Sequence, residues 1–322
     1  MPVLNQSDYR APFLFRNRHL LTIYPSLFRK VSGVDYQRSR ITTADDDFID
    51  LDFSTTGSRH IVIILHGLEG NSYRKYMLGM AAAFNKNNFD TVAMNFRGCS
   101  GAPNKRLRFY HSGETEDLDT VVQYVKHLGK YETIHLAGFS LGGNVMLKYI
   151  GEKAGNIDNC IKSAVAVSVP CDLKDSAAAL ERKQNVIYMK RFIRELEIKL
   201  RHKKELYPEY INLDGYSSIK TFRQFDDRYT APMHGFKNAA DYWEQSSCRQ
   251  FLEKIRIPVL LINALDDPFL GKACFPYEEA AKNDCFYLET PKYGGHVGFV
   301  TFNGTQYWSE RRAVAFIRNN RG

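Results

Sequence analysis

Thr133-Ile134-His135-Leu136-Ala137-Gly138-Phe139-Ser140-Leu141-Gly142 is a strand-like run that breaks into a glycine-flanked serine and then into a helical pattern ending near Lys153. A serine on a sharp strand-to-helix turn needs small neighbours, because the strained turn crowds the flanking backbones while it leaves the hydroxyl exposed. The helix N-terminus that follows favours negative charge developing beside that hydroxyl. Among the serines of the chain, Ser140 alone has this setting, which makes it the candidate nucleophile.

Outward from this turn, short β-branched runs alternate with longer amphipathic stretches. The reading predicts strands near 60–65, 91–96, 133–139, 163–169, 257–263 and 285–290, with helices near 73–87, 115–128, 141–153 and 308–319. That rhythm belongs to an α/β fold, a mostly parallel sheet with helices on both faces. Upstream, 38–43 and 48–53 flank an acidic turn and suit an antiparallel hairpin at the sheet edge. The alternation breaks between about 172 and 250, a stretch too long for a structureless connection, so a helical cap inserted into a single body spanning 1–322 is expected. The N-terminal segment 1–40 is expected to pack on that body. Inside the cap, Val186, Met189, Ile193, Leu196 and Leu200 fall on one helical face, which would bury them and leave Lys190, Arg191, Arg194, Lys199 and Arg201 in solvent.

A serine hydroxyl is a weak nucleophile until a base accepts its proton. In this kind of fold the partners follow in the order serine, acid, histidine. Of the nine histidines only His296, in Tyr293-Gly294-Gly295-His296-Val297-Gly298, lies beyond the acidic pair that ends the run Val259-Leu260-Leu261-Ile262-Asn263-Ala264-Leu265-Asp266-Asp267-Pro268. Successive strand side chains point to opposite sides, so one aspartate of the pair faces the histidine. Pro268 biases Asp267 toward an extended backbone, which selects Asp267 as the orienting acid and leaves Asp266 as a turn or helix-capping carboxylate. His66-Gly67-Leu68-Glu69-Gly70 ends the run at 60–65 and supplies the other part of an acyl-transfer site. The backbone amides of Leu68 and Leu141 are the expected oxyanion donors.

These residues resemble the α/β-hydrolase superfamily, and within it the YheT-like esterase/lipase subfamily. The resemblance covers most of the chain. It includes Asn17-Arg18-His19-Leu20-Leu21-Thr22-Ile23, Asn95-Phe96-Arg97-Gly98, Tyr110-His111-Ser112-Gly113, Phe222-Arg223-Gln224-Phe225-Asp226-Asp227, Asn263 to Phe269 and Gly294 to Phe299. It implies the same triad, Ser140, Asp267 and His296, and a serine esterase acting through an acyl-enzyme on short- to medium-chain acyl esters or acylglycerol-type lipids. Leu21 departs from the pattern, since many relatives carry Gln there. An acyltransferase or perhydrolase using the same acyl-serine, and a non-catalytic membrane-surface or binding protein, are the competing readings. Arg97 and His111 have two readings, contact with an acyl ester or its head group and a structural role in an irregular loop, and are left out of the site. Phe222, Phe225, Tyr229 and Met233 are read chiefly as cap packing, with the lining of an apolar acyl pocket as the alternative.

Composition limits the remaining classes. The 322 residues are 44% hydrophobic and 25% charged, an ordinary globular balance, and the densest apolar run is strand-sized. The N-terminus lacks the basic start and apolar run of a secretion signal, which points to a cytoplasmic address. Cys99, Cys160, Cys171, Cys248, Cys274 and Cys285 form no C-x-x-C pair and read as reduced thiols. The net charge of +8 is local: residues 1–41 carry seven Lys or Arg against two acids, and 181–206 carry nine against four. That argues against a nucleic-acid partner and allows a weak peripheral membrane contact through the basic cap or N-terminal segment. No metal or organic cofactor is expected, the substrate is a small acyl ester, and nothing in the sequence sets an oligomeric state.

Overall fold

The computed structural model describes residues 2–4, 6–302 and 304–321. Among them, nine strands join in one sheet: β1 (Val3–Leu4), β2 (Gln37–Thr42), β3 (Phe48–Ser54), β4 (His60–Leu65), β5 (Asp90–Asn95), β6 (Thr133–Phe139), β7 (Ile161–Val167), β8 (Val259–Ile262) and β9 (Phe286–Glu289). Their spatial order is β1-β9-β8-β7-β6-β4-β5-β3-β2. All neighbours from β1 through β5 run parallel, and only the β2–β3 hairpin and its junction with β5 are antiparallel. The hairpin lies at the sheet edge, as its sequence predicts.

The strands read as continuous apolar runs because both faces are covered. Ile61, Ile63 and Leu65 of β4 pack with Leu118, Val121, Val122 and Val125 of the helix Glu116–His127. Val62 and Ile64 point the other way, to Met77, Met80 and Phe84 of Lys75–Lys86 and to Val314 and Ile317 of Trp308–Asn319. Each such side chain, fully buried, contributes about 1.5–3 kcal/mol. Among the described residues no helix is long and apolar enough to cross a membrane. All six cysteines are unpaired, with Cys99, Cys171, Cys248 and Cys274 buried.

Between β7 and β8 lies an inserted helical region that includes Leu173–Leu180, the long helix Val186–Leu206 and Ala239–Ser246. The long helix corrects two expectations. Lys199, predicted to face solvent, is buried together with Lys203, and Val186, predicted to be buried, is 47% exposed. The buried stripe begins one turn later, at Met189, and continues through Ile193, Leu196, Leu200 and Lys203. Helical geometry places Lys199 beside Leu196 and Lys203, so it turns inward wherever a counter-charge awaits it. The N-terminal segment packs back on the body: Leu21 is fully buried, and Arg29 forms a bidentate pair with Glu310 at 2.5 and 2.8 Å.

Candidate active site

Ser140 follows β6 directly and begins the helix Leu141–Lys153 with φ +50° and ψ −121°. A non-glycine residue in that conformation is strained and is held only by its surroundings. Here the Ser140 amide donates to Val167 O at 2.9 Å and its carbonyl accepts from Asn144 N at 3.1 Å. Close backbone approach explains the glycines: a Cβ on Gly142 would strike the carbonyl of His66 and the backbone of Leu65.

The structure brings the three sequence-selected side chains together. His296 Nε2 lies 3.0 Å from Ser140 Oγ, and His296 Nδ1 lies 2.9 and 3.1 Å from the two oxygens of Asp267. A carboxylate at Nδ1 requires the proton on that nitrogen, which leaves Nε2 as the acceptor facing the hydroxyl. Asp267 is buried and its Oδ1 also accepts from Phe269 N at 2.9 Å, so its orientation is fixed.

The His296 loop is held from several sides. Thr22 Oγ1 accepts the His296 amide at 2.9 Å, Ser168 Oγ accepts the Val297 amide at 2.9 Å, and Asp266 Oδ1 accepts the Gly295 amide at 2.9 Å. Asp266 thus fastens the histidine loop, where its sequence suggested a cap of its own turn. The backbone of Leu21 passes close to Gly295 and Gly298, and its side chain is fully buried in an apolar cluster, so an apolar residue fits that position. Thr22 stands inside a stretch that the sequence singled out without giving it a role. The lost signal was tertiary, since 274 residues separate it from His296.

The loop after β4 is equally constrained. His66 is fully buried; burial pulls its pKa down to about 3, so the ring is neutral and links Gly67 O at 2.7 Å to Phe96 N at 3.1 Å. Gly67 N donates to Tyr76 Oη at 3.0 Å, Glu69 N to Tyr110 Oη at 2.8 Å, and Gly70 N to Gly67 O at 2.9 Å. Among the described residues the Leu68 amide between them meets no acceptor. Leu141, as the first residue of its helix, likewise has no intrahelical acceptor. Lys199 of the inserted region grips this loop, with Nζ 2.7 Å from Glu69 Oε1 and 3.0 Å from Cys99 Sγ. Burial pulls the Lys199 pKa down, but Cys99 and Glu69 outweigh that and hold it above the usual lysine range.

Ser140 and His296 open into a cavity of about 830 Å³ including its mouth. Its walls are mainly apolar, with Leu173, Leu180, Phe192, Leu196, Phe222 and Phe225 prominent. Phe222 and Phe225 therefore line the pocket, whereas Tyr229 and Met233 do not. His111 also lines it. Arg97 is engaged elsewhere, paired with Asp117 at 2.6 Å, Asp45 at 2.8 Å and Asp47 at 3.2 Å. One buried acid faces the pocket: Asp226 accepts from Thr230 Oγ1 at 2.6 Å and Trp243 Nε1 at 2.8 Å, and burial, aided by Asp227, pushes its pKa up to about 7. Among the described residues no group of three or more His, Cys, Asp or Glu side chains is arranged to hold a metal ion.

A model of the α/β hydrolase fold matches residues 60–300. YheT of Escherichia coli (strain K12) is 36% identical over 320 residues, covering 96% of this chain and 93% of its own length. The phospholipase ABHD3 of Mus musculus is 29% identical over 309 residues, covering 93% of this chain and 74% of its own. Among solved structures, the Pyrococcus furiosus esterase Pf2001 superposes with a TM-score of 0.61 at 21% identity, over 91% of this chain and 99% of that one, a likeness of fold. With the fold model spanning most of the chain and YheT aligned along nearly all of it, the chain belongs to the α/β-hydrolase family and is classed with its esterase/lipase-type carboxylic-ester hydrolases.

Proposed function

We propose that the chain hydrolyses short- to medium-chain acyl esters or acylglycerol-type lipids through an acyl-enzyme on Ser140. The observation that carries this reading is the placement of His296, within hydrogen-bond reach of Ser140 on one side and Asp267 on the other. His296 accepts the hydroxyl proton as Ser140 Oγ bonds to the ester carbonyl carbon, and Asp267 holds the ring in the required tautomer. The amides of Leu68 and Leu141 receive the oxyanion of the tetrahedral intermediate, each contributing roughly 3–4 kcal/mol in comparable sites. His296 then protonates the departing alcohol, and the same histidine activates water to release the acid. The apolar pocket suits an acyl chain, since such sites rely on hydrophobic walls with few polar groups. Relatives named as a phospholipase and as a monoacylglycerol lipase direct the substrate class toward glycerolipid esters.

The test is labelling by a fluorescent fluorophosphonate, read by intact mass, on the wild type and Ser140→Ala in parallel, followed by a chain-length series of soluble esters. Labelling of the wild type alone, with turnover lost in the variant, is the expected result. Folded wild type that neither labels nor hydrolyses any ester would overturn the reading.

A further inference from the structure

We infer that the segment Phe13–Phe28 and the start of the inserted helix Val186–Leu206 form one docking face for an anionic lipid surface, linked to the acyl pocket through Tyr188 and Phe269. The inference deepens the esterase reading by naming where the substrate is met. Its first support is exposure. Phe13, Leu14 and Ile187 are 78%, 79% and 74% exposed, and Leu27 and Phe28 are each 65% exposed. Contiguous large apolar side chains on a surface mark an interaction site, whereas scattered single ones do not.

Aromatic contacts join the N-terminal part of this set. Phe15 meets Tyr24 at 4.8 Å and Phe302 at 5.1 Å between ring centroids, and Tyr24 meets Phe28 at 5.2 Å. The short 3-10 turn Phe13–Phe15 and the helix Arg18–Phe28 therefore make one apolar body. It reaches the site through rings: His19 stacks on Tyr188 at 5.8 Å, Tyr188 meets Phe269 edge-on at 4.8 Å, and Phe269 lies tilted against His296 at 4.2 Å. Tyr188 is the neighbour of Ile187, so the inserted helix presents its exposed end beside the N-terminal helix.

Charge selects the occupant. In 1–41 and 181–206, ion pairs among the described residues engage Arg29, Arg38, Arg40, Arg191, Lys199 and Arg201. Arg16, Lys30, Lys183, Lys190 and Arg194 are exposed and outside those pairs. Of the two acids in 1–41, Asp8 accepts from Trp308 Nε1 at 2.6 Å. A second copy of the chain docked through this face would oppose cation to cation across the two-fold. An anionic lipid–water interface instead receives apolar side chains into its acyl region and cations at its headgroups.

Full-length Ser140→Ala protein is sedimented with vesicles of phosphatidylglycerol and phosphatidylcholine, or of phosphatidylcholine alone, at low and high salt. Partition to the anionic vesicles at least about tenfold stronger, and weakened by salt, is expected. Adding Phe13→Ser and Leu14→Ser, or Lys183→Gln and Lys190→Gln, is expected to reduce that partition about tenfold. In the active chain the same substitutions lower hydrolysis of a vesicle-embedded ester while a soluble short-chain ester is turned over within twofold of wild type. Partition that ignores both substitution sets overturns the docking face. Self-association that vanishes in Phe13→Ser/Leu14→Ser, without vesicle binding, assigns the face to a second copy and also overturns it. Absence of soluble-ester turnover in the wild type would count against the esterase reading alone, because sedimentation uses a chain that cannot hydrolyse.

Discussion

The sheet and the inserted helical region both place polar groups in and around the candidate site, yet by different means. At the sheet, Ser140 comes directly after β6, Asp267 five residues after β8 and His296 seven after β9, at the carboxyl ends of strands that lie close in spatial order. Their positions follow from strand register and short loops. In the insertion, Lys199 and Asp226 ride on helices, and each depends on a partner that only packing supplies: Glu69 at 2.7 Å for one, Trp243 at 2.8 Å for the other. Strand ends position a side chain by backbone geometry, whereas a helical residue at the edge of the apolar stripe faces inward or outward according to what stands opposite.

The sharpest test of the sheet half is Ser140→Ala, which should reduce kcat by at least about 10⁴-fold with an unchanged melting temperature, measured on a soluble ester. Asp267→Asn should lose about 10⁴-fold through the wrong imidazole tautomer. Asp266→Asn, which disturbs one amide of the loop, should lose about tenfold or less. Equal losses at the two aspartates would break the distinction between orienting the ring and fastening its loop.

The insertion half is tested next by Lys199→Met, which leaves the partly buried Glu69 without its cation. Denaturant unfolding should register a loss of about 3 kcal/mol, and adding Glu69→Gln should recover part of it. No recovery would mean that the pair is not coupled. Thr22→Val tests the hold of the N-terminal helix on the sheet half, because it removes the hydroxyl that accepts the His296 amide. A loss of roughly 1 kcal/mol in transition-state stabilisation, read as kcat/KM, is expected.

The smallest effect is a pH dependence at Asp226. Its folded pKa of about 7 lies above the usual carboxylate range, so the folded state holds a proton that the unfolded chain releases. The associated stability is fully present below about pH 4 and is lost as pH rises toward and through about 7. Asp226→Asn does not titrate there, so the stability advantage of the wild type over this variant should shrink by about 1 kcal/mol or more between pH 5 and pH 8, followed by thermal melts. An advantage that stays constant would remove Asp226 from the titrating groups of the pocket.

The strands 60–65 and 133–139 and the helices 141–153 and 308–319 coincide with those read from apolar periodicity, and other shared elements shift by a few residues. Missed elements are local in another sense. β1 has two residues and exists only because it pairs with β9, and the helix Arg18–Phe28 carries Pro25 and an apolar exposed side that obscures its pattern. That Ser140, Asp267 and His296 come together was legible because a glycine-flanked strand-to-helix turn, a strand-end acid and a glycine-flanked histidine each leave a local signature in a fixed chain order.

The sequence by itself determined the alternating α/β layout, the nucleophile turn, the choice of His296 and the preference for Asp267, since each rests on period, turn chemistry or order along the chain. Only the tertiary structure decided that Lys199 turns inward to Glu69, that Thr22 and Asp266 hold the histidine loop, and that Phe222 and Phe225 line the pocket while Tyr229 and Met233 do not. These depend on contacts between segments far apart in the chain. Burial of a polar side chain depends on finding a partner, and the partner's identity is not written in the residues beside it.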